Sequence, residues 1–315
     1  MKEYKILSGV NPTEYEHPFD RQSLDRLERT RGLDLLTDKV LDHGLEKFLH
    51  IKHTGDNVRV ESHNIPELHA LLIKACQILD MDDLPQLYIH LEDKIQSFSS
   101  GEKRRIVVIS SGAVDLLTEE ELLFLIGREI GHIKSNHVVY RMMAESLQLV
   151  SQIISEMTLG IGNLLSMPLK VALMHWYRLS EFTADRAGLL VCQNPEVAGQ
   201  AFLKMAGLPA KFAGRVSVDD LRKQAQDFDN IQETNFDKFI RFAASYENPQ
   251  PFTVIRAAQL FDWVDQGHYE FVLNRGRKVL TKEVGNNCPR CMSPYEVGDK
   301  FCTQCGFNLT TLAES

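Results

Sequence analysis

The chain has 315 residues, 43% of them hydrophobic, which suits one large core with a small appendage. Its net charge of −8, without any block of basic residues, argues against a nucleic-acid partner. No internal repeat or low-complexity segment interrupts it. The opening Met1-Lys2-Glu3-Tyr4-Lys5-Ile6-Leu7 has no long apolar run, so no secretory signal is expected and the cytoplasm is the expected compartment.

In chain order, residues 19–52 are predicted to be helical, with Leu33, Leu36, Val40, Leu41, Leu45 and Phe48 forming an apolar stripe. Val58–Val60 starts a small sheet, and Pro66–Leu79 reads as an amphipathic helix. Gln86–Leu91 and Ile106–Ile109 read as strands joined through a polar turn at Ser97–Lys103, with Ser110-Ser111-Gly112 as a following turn. Thr118, three residues before Glu121, makes a capping-box start for a helix whose buried face carries Leu122, Leu123, Leu125, Ile126, Ile130 and Ile133. The remainder to about residue 275 is helical in pattern, punctuated by Gly207-Leu208-Pro209 and Asn248-Pro249-Gln250-Pro251.

Residues 149–179 contain long apolar stretches, but Gln152, Glu156, Asn163, Pro168, Lys170 and His175 interrupt every window of about 20 residues that a membrane span needs. A buried helical hairpin over a cleft is the expectation, with bilayer contact at most peripheral, through a tip near Ile161–Met167. The fold class that follows is α+β, mainly helical with a small sheet edging a cleft. The predicted division is 1–275 for the main domain, 276–286 for a linker and 287–309 for a cysteine module.

The most informative stretch is Arg128-Glu129-Ile130-Gly131-His132. A zinc peptidase helix would read His-Glu-x-x-His, because positions i and i+4 share a face and two imidazoles can then grip one ion. The glutamate beside the first histidine acts as general base toward the metal-bound water. Glu129 and His132 are in register for those roles, while Arg128 stands at the first ligand position. A further carboxylate pair, Glu181 and Asp185, lies one helical turn apart downstream and could supply a metal ligand and an orienting group.

These residues carry a resemblance to the gluzincin metallopeptidases that include the HtpX-like and CAAX prenyl proteases, closest to their soluble bacterial members. It is strongest over Ile106–Asp115, Glu119–His137 and Arg178–Asp185, and extends more loosely through "EHPFDRQSLDRL" and "PFTVIRAAQLFDW". The resemblance implies a zincin-like fold, His132 and Glu181 as zinc ligands, Glu129 as base and Asp185 as the orienting group. It also implies an edge strand near Ser97–Gly101 and Ile106–Ile109 that holds an extended polypeptide by strand addition. A histidine that such proteins often place before the proline of the late segment corresponds to Gln250 here.

Arginine stays protonated and offers no lone pair to a metal. At about 4 Å and an effective dielectric of about 20, two unit charges repel by about 4 kcal/mol, and a divalent ion would feel about twice that. The expectation is that the Arg128 guanidinium takes the place of the catalytic zinc, bridging Glu129 and Glu181. His137 and His175 could in principle replace the missing ligand, but each lies well round its helix from the partner it would need, roughly 140° and 120° respectively.

A second motif is intact. Cys288-Pro289-Arg290-Cys291 and Cys302-Thr303-Gln304-Cys305 form a paired C-x-x-C array that matches a closed, tetrahedral structural zinc. Met292–Phe301 is long enough for a hairpin between the knuckles, and Gly306 suits a tight turn. Such a small module needs the metal to fold. Cys76 and Cys192 stand singly in apolar stretches and read as free thiols in a reducing compartment.

Three functional readings follow. One is a pseudopeptidase, or strongly impaired peptidase, that retains a polypeptide or protein partner. Another is an active zinc metalloendopeptidase that tolerates Arg128. In the last, the zinc ribbon is the working part of an accessory protein.

Overall fold

Four short strands frame the site: β1 (Val58–Val60), β2 (Gln86–His90), β3 (Ser97–Ser100) and β4 (Ile106–Ser110). The structure, a computed structural model, describes residues 4–30, 33, 37, 44–147, 150, 167–229, 251–274, 284–288, 290–291, 293–296, 298–302 and 304–310. The sheet order is β1-β2-β4-β3, with β2 and β4 parallel and an antiparallel strand on each edge. Ile106-Val107-Val108-Ile109 is buried throughout, as a β-branched central strand should be. The segment expected as a polar turn at Ser97–Lys103 instead begins with edge strand β3, paired Ser97 to Ile109 and Ser100 to Ile106. Serine is small enough to bury at Ser97, Ser99 and Ser100, while Phe98, on the face opposite Ser97 and Ser99, packs on Tyr88, Ile106 and Val108.

The helices are α1 (Pro18–Glu28), α2 (Leu45–Asp56), α3 (Pro66–Ile78), α4 (Ser111–Leu116), α5 (Glu119–Lys134), α6 (Val138–Glu145) and α7 (Met167–Cys192). After them come α8 (Pro195–Met205), α9 (Val218–Asp229), α10 (Thr253–Asp265) and α11 (His268–Asn274). Of the stripe expected along 19–52, Leu33 and Leu45 are buried but Phe48 is 51% exposed; Leu36, Val40 and Leu41 lie outside the described residues. The left-handed Gly44 before α2 resets the helical phase, so Leu49 turns inward and Phe48 outward. Ser110-Ser111-Gly112 opens helix α4 rather than a turn, with the Ser110 hydroxyl accepting from the Ala113 amide at 3.1 Å.

Helix α5 starts at the Thr118–Glu121 capping box. It packs against α7 along a seam of small residues. A Cβ on Gly131 would lie 2.3 Å from Ala187 Cβ, and one on Gly188 would lie 2.7 Å from Arg128 Cγ. Only glycine permits that approach, and the approach is what brings the side chains of the two helices into one site. The hairpin tip expected near Ile161–Met167 falls mostly outside the described residues. Among the described residues, no helix is long and apolar enough to cross a membrane.

At the C-terminal end, β5 (Val284–Asn287) pairs antiparallel with β6 (Pro294–Glu296). β5 begins inside the stretch expected as linker. The hairpins do not run between the cysteine knuckles; each knuckle is itself the turn of a hairpin. The Cys288 amide donates to the Ser293 carbonyl at 2.8 Å, the Cys302 amide donates to the Phe307 carbonyl at 2.8 Å, and Gly306 takes the left-handed turn at φ 68°. The module docks on the main body. Phe301 is 1% exposed within the main core, and Lys300 Nζ reaches Asp80 Oδ1 at 2.8 Å and Asp82 Oδ1 at 3.2 Å.

Candidate functional site

Arg128, Glu129 and His132 on α5 meet Glu181 and Asp185 on α7 in a site closed to solvent, no side chain of the five being more than 3% exposed. The five residues singled out from the sequence are therefore brought together. An amphipathic surface helix would have left Glu181 and Asp185 in water; the glycine seam buries them instead.

The Arg128 guanidinium donates from Nε to Asp185 Oδ1 at 2.7 Å and from Nη2 to Glu181 Oε2. Its Nη1 is 4.0 Å from Glu129 Oε1. The expected bridge between Glu129 and Glu181 is present but uneven, long to Glu129 and close to Glu181, and Arg128 adds Asp185, which sits one turn from Glu181 on α7 within the fork of the same guanidinium. Glu129 is held from the other side, where the Ser97 hydroxyl on β3 donates to its Oε1 at 2.6 Å. Its Oε2 is buried without a hydrogen-bond partner.

Two further arginines, which the sequence reading did not single out, complete the cluster. Arg256 on α10 grips Asp185, Nε to Oδ2 at 2.9 Å and Nη2 to Oδ1 at 2.6 Å. Arg141 on α6 donates from Nη1 to Glu181 Oε1 at 2.5 Å and also approaches Glu145 and the Tyr177 hydroxyl, each at 3.5 Å. Three buried guanidiniums thereby face the carboxylates of Glu129, Glu181 and Asp185. Burial alone would raise the Glu181 pKa, but Arg141 and Arg128 override it and hold that carboxyl well below the usual range. Arg256 lies inside the late segment already noted in the sequence. Arg141 had no signal, since one charge in an apolar stretch looks like a surface residue.

His132 Nε2 is 3.5 Å from Glu181 Oε1, outside hydrogen-bond geometry, and its Nδ1 lies 3.1 Å from His137 Nδ1. Helix α5 ends at Ser135, and left-handed Asn136 (φ 57°) folds the chain back. Extrapolating the helix to His137 therefore misplaces it. His137 stands behind His132, its Nε2 3.3 Å from Asp20 Oδ2 on α1. Asp20 also accepts from Trp176 Nε1 at 2.9 Å and from the Thr183 hydroxyl. Burial, then Arg141, lowers both histidines to about 3, so both are neutral near pH 7. His175 is on an exposed face of α7, away from the site, and Gln250 lies outside the described residues.

Beside the cluster is a cavity of about 530 Å³ lined by Ser97 and Phe98 of β3 together with Glu145, Tyr177, Phe252 and Lys52. The open side of edge strand β3 borders it.

The cysteine module is a separate centre. Among the described residues, Cys288, Cys291, Cys302 and Cys305 are the only group of three or more donors close enough to share an ion, all four sulfurs within 4.8 Å of one another. Cys288 and Cys305 sulfurs are 3.7 Å apart and those of Cys291 and Cys302 are 3.5 Å apart. Zn–S bonds of about 2.3 Å in a tetrahedron imply sulfur separations of about 3.8 Å, so the four thiols fit zinc. Hydrogen bonds from Ser293 lower the Cys291 thiol to about 6, toward the thiolate that a metal requires.

Helical architecture, small sheet and a carboxylate–histidine cluster between two packed helices define a metallopeptidase-type fold, and residues 62–264 match the model of peptidase family M48. The chain belongs to that family. It is 29% identical over 279 residues to plastoglobule-localized metallopeptidase 48, chloroplastic, of Arabidopsis thaliana, covering 88% of this chain and 79% of that protein. It is 26% identical to protease HtpX homolog 2 of Methanosarcina mazei, covering 54% of this chain and 63% of that protein. Against protease HtpX homolog of Salinibacter ruber the identity is 28%, over 41% of this chain and 52% of that protein. The chain thus spans less than two thirds of these HtpX relatives. No solved structure matches it. Family membership implies zinc and supports a peptidase-like function.

Proposed function

We propose that this M48 member is a pseudopeptidase, or a strongly impaired peptidase, that binds extended polypeptide without a catalytic zinc. The observation that carries the reading is Arg128: a buried guanidinium bonded to Glu181 and Asp185, at the helical position where a first zinc ligand would stand. In an active site of this type His132 and Glu181 would be ligands, Glu129 the base and Asp185 the orienting group. Here Glu181 and Asp185 are engaged by permanent cations, which leaves His132 and Glu129 with nothing to activate a water. Zinc at this centre therefore does not fit the residues present, whereas zinc in the cysteine module does.

Polypeptide binding rests on the open edge of β3 and the adjoining cavity. A strand laid there would meet the outer edge of β3 at Ser97 and Phe98, with a pocket for side chains beside Phe98. Extended polypeptide is accordingly the proposed partner. Buried Cys76 and Cys192, neither in a disulfide, suit a reducing compartment.

The test uses purified, zinc-replete full-length protein and fluorescently labelled, unfolded casein. Saturable anisotropy without any cleavage is the expected result. Cleavage that disappears in Glu129→Gln would refute the loss of catalysis, and absence of binding would refute the polypeptide groove.

A further inference from the structure

Arg128 is not alone at the metal position. Glu181 offers two oxygens, and a separate guanidinium occupies each: Arg128 from α5 on Oε2, and Arg141 from α6 on Oε1 at 2.5 Å. Oε1 is also the oxygen that faces His132 Nε2, 3.5 Å away. An ion held by His132 and Glu181 would sit about 2.0–2.2 Å from each ligand atom. It would therefore have to share Oε1 with the Arg141 cation.

From these contacts we infer that Arg141 is a second, independent plug of the metal site, so that restoring a histidine at position 128 does not by itself reopen it. The inference rests on the reading of this site as zinc-free and deepens it. Arg141 cannot easily swing out. It is 1% exposed, its guanidinium stacks over the Tyr177 ring at 4.5 Å, and Nη1 is also 3.4 Å from the Ser180 hydroxyl. Its alternative carboxylate, Glu145, is a weaker partner at 3.5 Å and already accepts from the Tyr177 hydroxyl at 3.0 Å. Moving the guanidinium off Glu181 would strand a buried charge on each side.

Two arginines on different helices thus converge on one carboxylate from opposite sides. Removing only the one on α5 leaves a His–His–Glu ligand set whose carboxylate is still capped. Removing both leaves Glu181 with only the more distant Arg256, whose Nη2 is 3.7 Å from Oε2 and is bonded to Asp185, and completes a His2Glu set of the kind that binds catalytic zinc.

The experiment is zinc per chain, by elemental analysis of full-length protein after equilibration with zinc and gel filtration. Wild type, Arg128→His, Arg141→Met and the double variant are compared. The expected stoichiometries are about one, one, one and two, the single zinc being that of the cysteine module. Cobalt substitution locates each ion, since thiolate ligation gives intense near-ultraviolet charge transfer and a histidine–carboxylate site gives only weak visible bands. A second zinc in Arg128→His alone would overturn the role of Arg141. So would a double variant that keeps native near-ultraviolet circular dichroism yet binds only one zinc. If Arg141→Met does not fold, Arg141→Gln in the same background decides, because it can still hydrogen-bond Glu145 and Tyr177. Two zinc ions in the wild type would instead defeat the zinc-free reading itself, an outcome distinct from failure of the two-plug inference.

Discussion

Among the described residues, the helical site and the cysteine module each gather electron-rich side chains, and they solve the same electrostatic problem differently. In the cysteine module four thiols lie within 4.8 Å of one another with no basic side chain bonded to them among the described residues, an arrangement that suits a cation from outside. Between α5 and α7, the carboxylates of Glu129, Glu181 and Asp185 are balanced by Arg128, Arg141 and Arg256, cations supplied by the chain itself. On the proposed reading, one centre is completed by a metal and the other by the chain's own arginines. A buried anionic cluster therefore does not identify a metal site until its counter-cations have been located.

The comparison would break most visibly at the cysteines. Cys302→Ser removes a buried ligand from a module too small to hold itself together, where structural zinc contributes roughly 10–16 kcal/mol to folding. Elemental analysis should show zinc falling from about one per chain toward zero, and limited proteolysis should open the chain beyond Val284 while the helical body persists. Retention of one zinc per chain in this variant would mean that an ion resides elsewhere, and the contrast between the two centres would collapse.

The next largest effect is expected at Arg128. Arg128→Met keeps the apolar stem but strands Glu181 and Asp185 with fewer partners, and loss of one member of a buried ion network costs about 3–5 kcal/mol. An unfolding free energy from urea titration lowered by that amount, unchanged by added zinc, is the expected result. Recovery of the midpoint on adding zinc would show that metal can replace the guanidinium after all.

The sequence made part of this contrast legible. The cysteine spacing is local: both knuckles are defined by residues three apart, and the structure only moves the hairpins from between them to around them. The five residues of the helical site were legible because helical periodicity places Arg128 over His132 and Glu181 under Asp185. Arg141 was not, because its partner Glu181 is 40 residues away and the chain reverses at Asn136 between them. The contact of His137 with His132 was missed for the same reason, since a helix rule was carried past the helix end. Edge strand β3 was hidden by composition: Ser97-Phe98-Ser99-Ser100 reads as a turn until β4 supplies its hydrogen-bond partner. Local spacing survives translation into structure, while long-range counter-ions do not announce themselves.

The smallest expected effect lies on the rim of the plugged site. Glu145 shares Arg141 with Glu181 and faces the cavity, and burial raises its carboxyl from 4.5 to about 7. Below pH 4.5 it is protonated in both folded and unfolded chains and contributes nothing. Between pH 4.5 and about 7 the folded chain holds the extra proton, so stability falls as pH rises through that window, and above it the folded chain carries a disfavoured charge. Glutamine cannot ionise and escapes that cost. Glu145→Gln should therefore raise stability at pH 8 by at most about 1 kcal/mol, well below the roughly 3 kcal/mol that linkage alone permits, because water reaches the Glu145 side chain and Arg141 loses an ion-pair partner. At pH 5 the gain should vanish. Urea midpoints of the two proteins at both pH values measure the difference directly. Equal destabilisation at pH 5 and pH 8 would mean that Glu145 stays ionised as a full partner of Arg141. In that case Arg141 would be anchored at the rim as firmly as at Glu181, and the four-carboxylate cluster, not the three-carboxylate one, would be the proper counterpart of the cysteine module.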